Sequence, residues 1–222
     1  MEEYSLHIRL ERDTTFGRGD GMAGLVDQEV DHDLYGLPFL RGRALKGLLV
    51  EECANILYAL SEQNSVLAET YQQAAERLFG RPGAGLEDAT HLRVGDALLP
   101  ADLRAAVRQA VEAERISRLD ILDALTDVRR QTALDETGKP TEKSLRSVRV
   151  ILRDTCFIAP MSFAGLPDER DTALLAACVK AFRRAGLGRN RGCGRLAVTL
   201  HDSLGRDVTN QLFSRFAKEV KA

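Results

Sequence analysis

The sequence predicts an α+β fold, a β-α-β-β-α-β core with helical insertions and a projecting β-hairpin arm. Three observations lead there. Stretches at 4–12, 92–99, 147–159 and 195–201 read as strands, the first by clear period-two alternation. Apolar residues at helical spacing fill the interval after the first strand and the interval before the last. A tract at 117–143 holds turn residues and few core candidates, and it interrupts the order once. Strand, helix, strand followed by strand, helix, strand is the split βαβ order of a ferredoxin-like (RRM-like) core. That core serves many unrelated activities, so function has to be read from particular residues.

From the N-terminus, YSLHIRLER (4–12) alternates, and Gly17, Gly19, Gly21 and Gly24 then mark a loop. VDQEVDHD (26–33) is extended and ends in a turn at Tyr35-Gly36-Leu37-Pro38. A helix begins near Arg43 and sets Leu45, Leu48, Leu49, Cys53, Ile56, Leu57 and Leu60 on one face. The next, at 66–79, buries Leu67, Tyr71, Ala74, Ala75 and Leu78, and stops at Gly80 with Pro82 beyond. After the strand at 92–99, a helix at 101–115 turns Leu103, Val107 and Val111 inward. Asp135-Glu136-Thr137-Gly138-Lys139-Pro140 has the composition of a hairpin tip, the end of the arm at 117–143. Following 147–159, a helix at 172–185 buries Leu175, Cys178, Val179 and Phe182. A glycine-rich loop, the last strand and a helix at 210–221 complete the chain. No repeat or low-complexity linker divides it, so residues 1–222 read as a single domain.

Composition narrows the function classes. With 44% hydrophobic residues in 222, the chain can bury a sizeable core. No apolar run approaches the ~20 residues that span a bilayer, and the acidic, alternating N-terminus is unlike a signal peptide. No membrane partner and cytoplasmic residence are therefore expected. Cys53, Cys156, Cys178 and Cys193 stand far apart, without C-x-x-C and without zinc-ligand spacing to histidine. Free thiols, at least two of them in the core, and no structural metal follow. Protease signatures are absent as well.

The net charge of −2 argues against nucleic acid until its distribution is considered. Residues 1–36 hold nine acids against three arginines, whereas 172–201 hold no acid and six basic residues. Segregated charge presents a strong local field to phosphates whatever the sum. Two loops concentrate it. In Gly36–Gly47, Gly42 allows close backbone approach, and Arg41, Arg43 and Lys46 crowd a helix N-terminus. Basic charge is unfavourable there, which suggests an anion at that end. In 186–195, GLGRNRGCGR, four glycines expose backbone donors, and Arg189, Arg191 and Arg195 supply charge-assisted bonds. This loop follows a helix and leads into a strand, so neither a P-loop nor a dinucleotide fingerprint fits. Asp27, Glu29, Asp31 and Asp33 recur at two-residue intervals, which in an extended segment sets four carboxylates on one face. Such a row either recruits a cation or faces water. His32 lies among them as a candidate acid or base, while His7, His91 and His201 fall in strands and read as structural.

Five pieces in this order resemble the RAMP (repeat-associated mysterious protein) superfamily, and within it the backbone subunit of type III CRISPR effector complexes. They are GLPFLRGRALKGLL (36–49), RLFG (77–80) before HLRVGDALLP (91–100), TALDETGKP (132–140), SLRSVRVI (144–151) and GLGRNRGCGRL (186–196). Arg41 stands where the family commonly has proline, Arg43-Ala44 where it has two serines, and Cys193 where it has an aromatic residue. The resemblance implies a subunit that binds guide (CRISPR) RNA in antiviral defence. Binding would use Arg41, Gly42, Arg43 and Lys46, with Arg129 and Arg130 from the arm. The glycine loop would add Gly188, Arg189, Asn190, Arg191, Gly192, Gly194 and Arg195. It also implies target RNA as a second ligand and other RAMP subunits, copies or paralogues side by side, as partners. An aspartate shortly upstream of the first motif cuts target RNA in that family, and Asp27 holds the matching position. An endoribonuclease is thereby implied, with a divalent cation, magnesium, as candidate cofactor and no fixed set of metal ligands. A RAMP subunit that binds without cutting, and a ribonuclease that processes guide RNA alone, remain as alternatives. So does an interaction domain unrelated to RNA.

Overall fold

Six strands and six helices are found in the computed structural model, which describes residues 3–22, 25–81, 91–132, 136–139, 141 and 144–221. The strands are β1 (Glu3–Leu10), β2 (Leu92–Val94), β3 (Thr126–Gln131), β4 (Arg146–Ile151), β5 (Cys156–Phe163) and β6 (Leu196–Asp202). The helices are α1 (Gly42–Ser61), α2 (Ser65–Phe79), α3 (Ala101–Glu112), α4 (Arg118–Leu125), α5 (Glu169–Ala181) and α6 (Thr209–Lys221). Gly24, Pro82, 133–135, Pro140 and 142–143, which the sequence assigns to loops and the arm, lie outside the described residues.

Alternation along β1 buries Leu6, Ile8 and Leu10 on one face and leaves His7 and Arg9 on the other. The strand sits inside an antiparallel sheet of order β2-β5-β1-β6, with Leu6 opposite Ala159 on one side and Leu200 on the other. With α1 and α2 linking β1 to β2, and α5 linking β5 to β6, the sheet has the interleaved arrangement of two strand–helix–strand units. Phe157, Ala159, Met161 and Phe163 of β5 extend the buried face, and Leu45, Leu49, Tyr71 and Leu78 cover it from α1 and α2. Helix α5 is buried all round from Asp171 to Val179, so its pattern is continuous rather than amphipathic. Cys53 and Cys178 are buried free thiols in this core, as expected. Among the described residues no helix is long and apolar enough to cross a membrane.

The tract at 117–143 departs from expectation. Its first part is helix α4, closed by a capping box between Ser117 and Asp120 and anchored by buried Ile121 and Leu122. Only then does the hairpin begin, with β3 pairing antiparallel to β4 from Thr126↔Ile151 to Gln131↔Arg146. The stretch at 147–159 is accordingly two strands in two sheets. Asp154, with φ of 67°, turns the chain between them, and its N–H donates to the Leu10 carbonyl. The strand expected at 92–99 is regular only to Val94, and Ala97 and Leu98 continue it as single bridges to Leu40 and Ile158. Helix α3 ends at Glu112 and buries no residue fully; Leu103 faces solvent, while Val107 and Val111 pack partly. It is held instead by Arg108 over the Tyr35 ring and by the Tyr35 hydroxyl on Glu112.

Candidate nucleic-acid interface

Between β1 and α1 the chain runs irregularly across both sheets. Thr14 bridges Ile151, Gln28 bridges Val148 in parallel, and Leu40 bridges Ala97. This path walls an open cleft of roughly 1270 Å³ together with the hairpin and the glycine loop. Its lining includes Arg12, Arg129, Gln131, Arg146, Val148, Val150, Arg153, Leu187, Gly188, Arg191 and Gly192. Three acids, Glu11, Asp13 and Asp154, also border it. Each is paired: Glu11 with Arg195 at 2.7 Å, Asp13 with Arg129 at 2.8 Å and Asp154 with Arg9 at 3.4 Å. Burial alone would raise the Asp13 carboxyl, but bonds from Arg129 and the Arg153 amide outweigh it and hold the carboxyl below its ordinary range. Arg12, Arg146, Arg153 and Arg191 remain without an ion pair among the described residues. Positive charge over an apolar floor suits phosphates and the faces of unpaired bases.

A second hollow, roughly 530 Å³, lies across Thr15 and Leu187, which line both. Arg41, Ala44, Gly47 and Gly186 border it. The two loops read from the sequence thus meet at one ridge, and Arg189 reinforces the meeting by pairing with Glu51 of α1 at 2.8 Å.

Individual residues sit differently from expectation. Gly42 does not face a ligand: a Cβ there would collide with the Val94 carbonyl, and its N–H donates to Asp96 at 2.7 Å. The anion at this helix end is therefore the protein's own Asp96, and Asp31 answers Arg41 with two bonds, at 2.5 and 2.9 Å. That bond and charge raise the Arg41 guanidinium further above its ordinary value. Lys46 reaches back to the Leu92 carbonyl at 3.0 Å, and burial lowers its ammonium. Arg43 is exposed on α1, and Arg130 is exposed on β3. Asn190 lies with Arg189 and Arg191 in a single 3₁₀ turn between Gly188 and Gly192, both left-handed. Gly194 packs against Ala185 rather than opening toward a ligand.

The acidic segment is not a row of like carboxylates. Glu29 is fully buried against Arg149, Asp31 is buried against Arg41, and Asp33 caps the turn by accepting from the Tyr35 and Leu37 amides. Only Asp27 is exposed; its Oδ2 accepts from the Ser147 N–H at 2.6 Å, on the hairpin flank beside the cleft. His32 bonds the neighbouring Asp33 carbonyl. No group of three His, Cys, Asp or Glu poised for a metal occurs among the described residues. Arg12, Arg146 and Arg153 escaped the sequence reading. A signal was present for Arg146, whose two-residue spacing from Val148 and Val150 puts all three on one face of β4.

Solved structures that share this fold include two of Type III-B Cmr-beta. The Type III-B Cmr-beta bound to cognate target RNA, seen by cryo-EM, contains a chain with a TM-score of 0.59 at 11% identity. The apo state of Type III-B Cmr-beta contains one with a TM-score of 0.60 at 13% identity. Each match covers 89% of this chain and 96% of that chain. Comparison with curated protein sequences yields no match. The family match is to the RAMP superfamily over residues 6–197, from the first strand through the glycine loop. The chain belongs to the RAMP superfamily.

Proposed function

We propose that the chain is a guide-RNA-binding backbone subunit of a type III CRISPR effector complex and that it cuts bound target RNA with Asp27. The observation that carries RNA binding is the cleft with four arginines free of ion pairs among the described residues, while every bordering acid is paired with an arginine. The family match and a fold neighbour seen bound to target RNA support an RNA-binding setting, which in this reading is a cytoplasmic complex with other RAMP subunits, copies or paralogues, side by side.

Cutting rests on the one carboxylate of the segment that is exposed and free of an ion pair. With Oδ2 fixed by the Ser147 amide, Oδ1 is left to accept the proton of a ribose 2′-hydroxyl. The 2′-oxygen then attacks the adjacent phosphorus, forming a 2′,3′-cyclic phosphate, as the 5′-oxygen leaves and takes a proton from water. If a magnesium ion takes part, Asp27 is the carboxylate of this segment that would reach it, and the ion would supply charge to the phosphate. Asp27→Asn keeps the size and loses the charge. In a reconstituted complex it is expected to slow target cleavage by ~10²–10⁴-fold with guide affinity unchanged. A target with a deoxy nucleotide at the cut resists cleavage on the same reasoning. Cutting by Asp27→Asn at the wild-type rate would leave a subunit that binds without cutting.

A further inference from the structure

Glu29 and Arg149 are the most deeply buried opposite charges near the interface, at 0% and 6% exposure, and neither lines the cleft. Arg149 Nε pairs with Glu29 Oε1 at 3.0 Å. Its Nη1 donates to Asp123 Oδ1 at 2.8 Å and to Thr126 Oγ1 at 3.0 Å. The Arg149 N–H donates to the Gln28 carbonyl, and its carbonyl accepts from Thr15 Oγ1 at 2.8 Å. One residue thus ties the 14–18 path, the acidic segment, α4 and both hairpin strands together. A buried ion pair contributes little net stability, because desolvation offsets the attraction. What directional charges add over an apolar pair of similar volume is register.

Register matters at this place. The parallel bridge Gln28↔Val148 is flanked by two fasteners, Asp27 on the Ser147 amide before it and Glu29 on Arg149 after it. Slipping the segment by one residue along β4 would turn its side chains to the opposite face. We propose that Arg149, through Glu29 and Asp123, is a positioning residue that locks this register and so holds the Asp27 carboxylate where it acts. The proposal rests on the catalytic reading of Asp27.

The test is the double variant Glu29→Leu/Arg149→Met, which removes both charges and keeps bulk. Its melting temperature and guide affinity in the reconstituted complex are expected to match wild type. Exchange of the Ser147 amide in the isolated chain is expected to quicken about tenfold. Target cleavage at saturating target is expected to fall by ~10–10²-fold while half-saturation stays put, the mark of a misplaced group. A stable variant with unchanged Ser147 exchange, or with quicker exchange and unchanged cutting, would overturn the proposal. Wild-type cutting by Asp27→Asn would instead overturn the reading beneath it. A double variant that does not fold moves the test to Asp123→Asn, whose side chain is largely exposed. Ser147 exchange should then quicken about threefold, and no change would sink the idea.

Discussion

At Gly194 a Cβ would collide with the Ala185 carbonyl oxygen, whereas at Gly192 it would meet nothing. Both residues have positive φ, 68° and 87°. Gly192→Ala should therefore cost only the left-handed conformation, about 1–2 kcal/mol. Gly194→Ala adds displacement of backbone on top of that strain and should cost about 3 kcal/mol or more. Urea melts of the two variants measure the difference, and equal losses would put the packing role of Gly194 in error. Composition alone suggested that every glycine in 186–195 serves ligand approach. Which ones serve packing depends on Thr14 and Ala185, and no local pattern reports a neighbour from elsewhere in the chain. The same holds for Glu29: its spacing from Asp27 was legible, but its partner Arg149 lies 120 residues away.

Strand faces were legible element by element, because alternation alone decides which side of β1 is buried. Where one sheet gives way to the other was not, since Arg153-Asp154-Thr155 between Leu152 and Cys156 carries neither glycine nor proline to mark a turn. Helix α4 could have been found: Ser117 and Asp120 have capping-box spacing ahead of Ile121 and Leu122. On the face of β1 away from the helices, His7 stacks on His201 of β6 with ring centroids 3.7 Å apart. Burial lowers the His7 imidazole, the His201 charge lowers it further, and Asp207 opposes both. A histidine with a lowered folded value stabilises the protein above its ordinary 6.5 and loses that contribution as pH falls through the lowered value. The melting temperature should then drop on acidification from roughly pH 7 to 5. His7→Phe keeps the stacking partner and should flatten that step. An unchanged pH profile in the variant would assign the step to other groups.

Across the whole molecule the net charge of −2 conceals two kinds of arginine. Arg41, Arg129, Arg189 and Arg195, all prominent in the sequence, spend their charge on Asp31, Asp13, Glu51 and Glu11. Arg12, Arg146 and Arg191 line the cleft without such partners among the described residues, and they come from three distant parts of the chain that only the fold assembles. Counterion release distinguishes the two kinds. For single-stranded RNA, each phosphate neutralised by a free cation contributes ~0.7 to the slope of log affinity against log salt. Replacing Arg12, Arg146 and Arg191 by alanine should flatten the slope by about 2 and weaken binding at low salt irrespective of RNA sequence. Replacing Arg41, Arg189 and Arg195 removes cations already compensated by carboxylates, so the slope should change by much less. Filter binding of a single-stranded RNA across a salt series reads both. If the paired set flattens the slope more than the cleft set, the RNA follows the two sequence loops rather than the cleft. The ion pairs drawn at Asp31, Glu51 and Glu11 would then have to open on binding, releasing those arginines to phosphate.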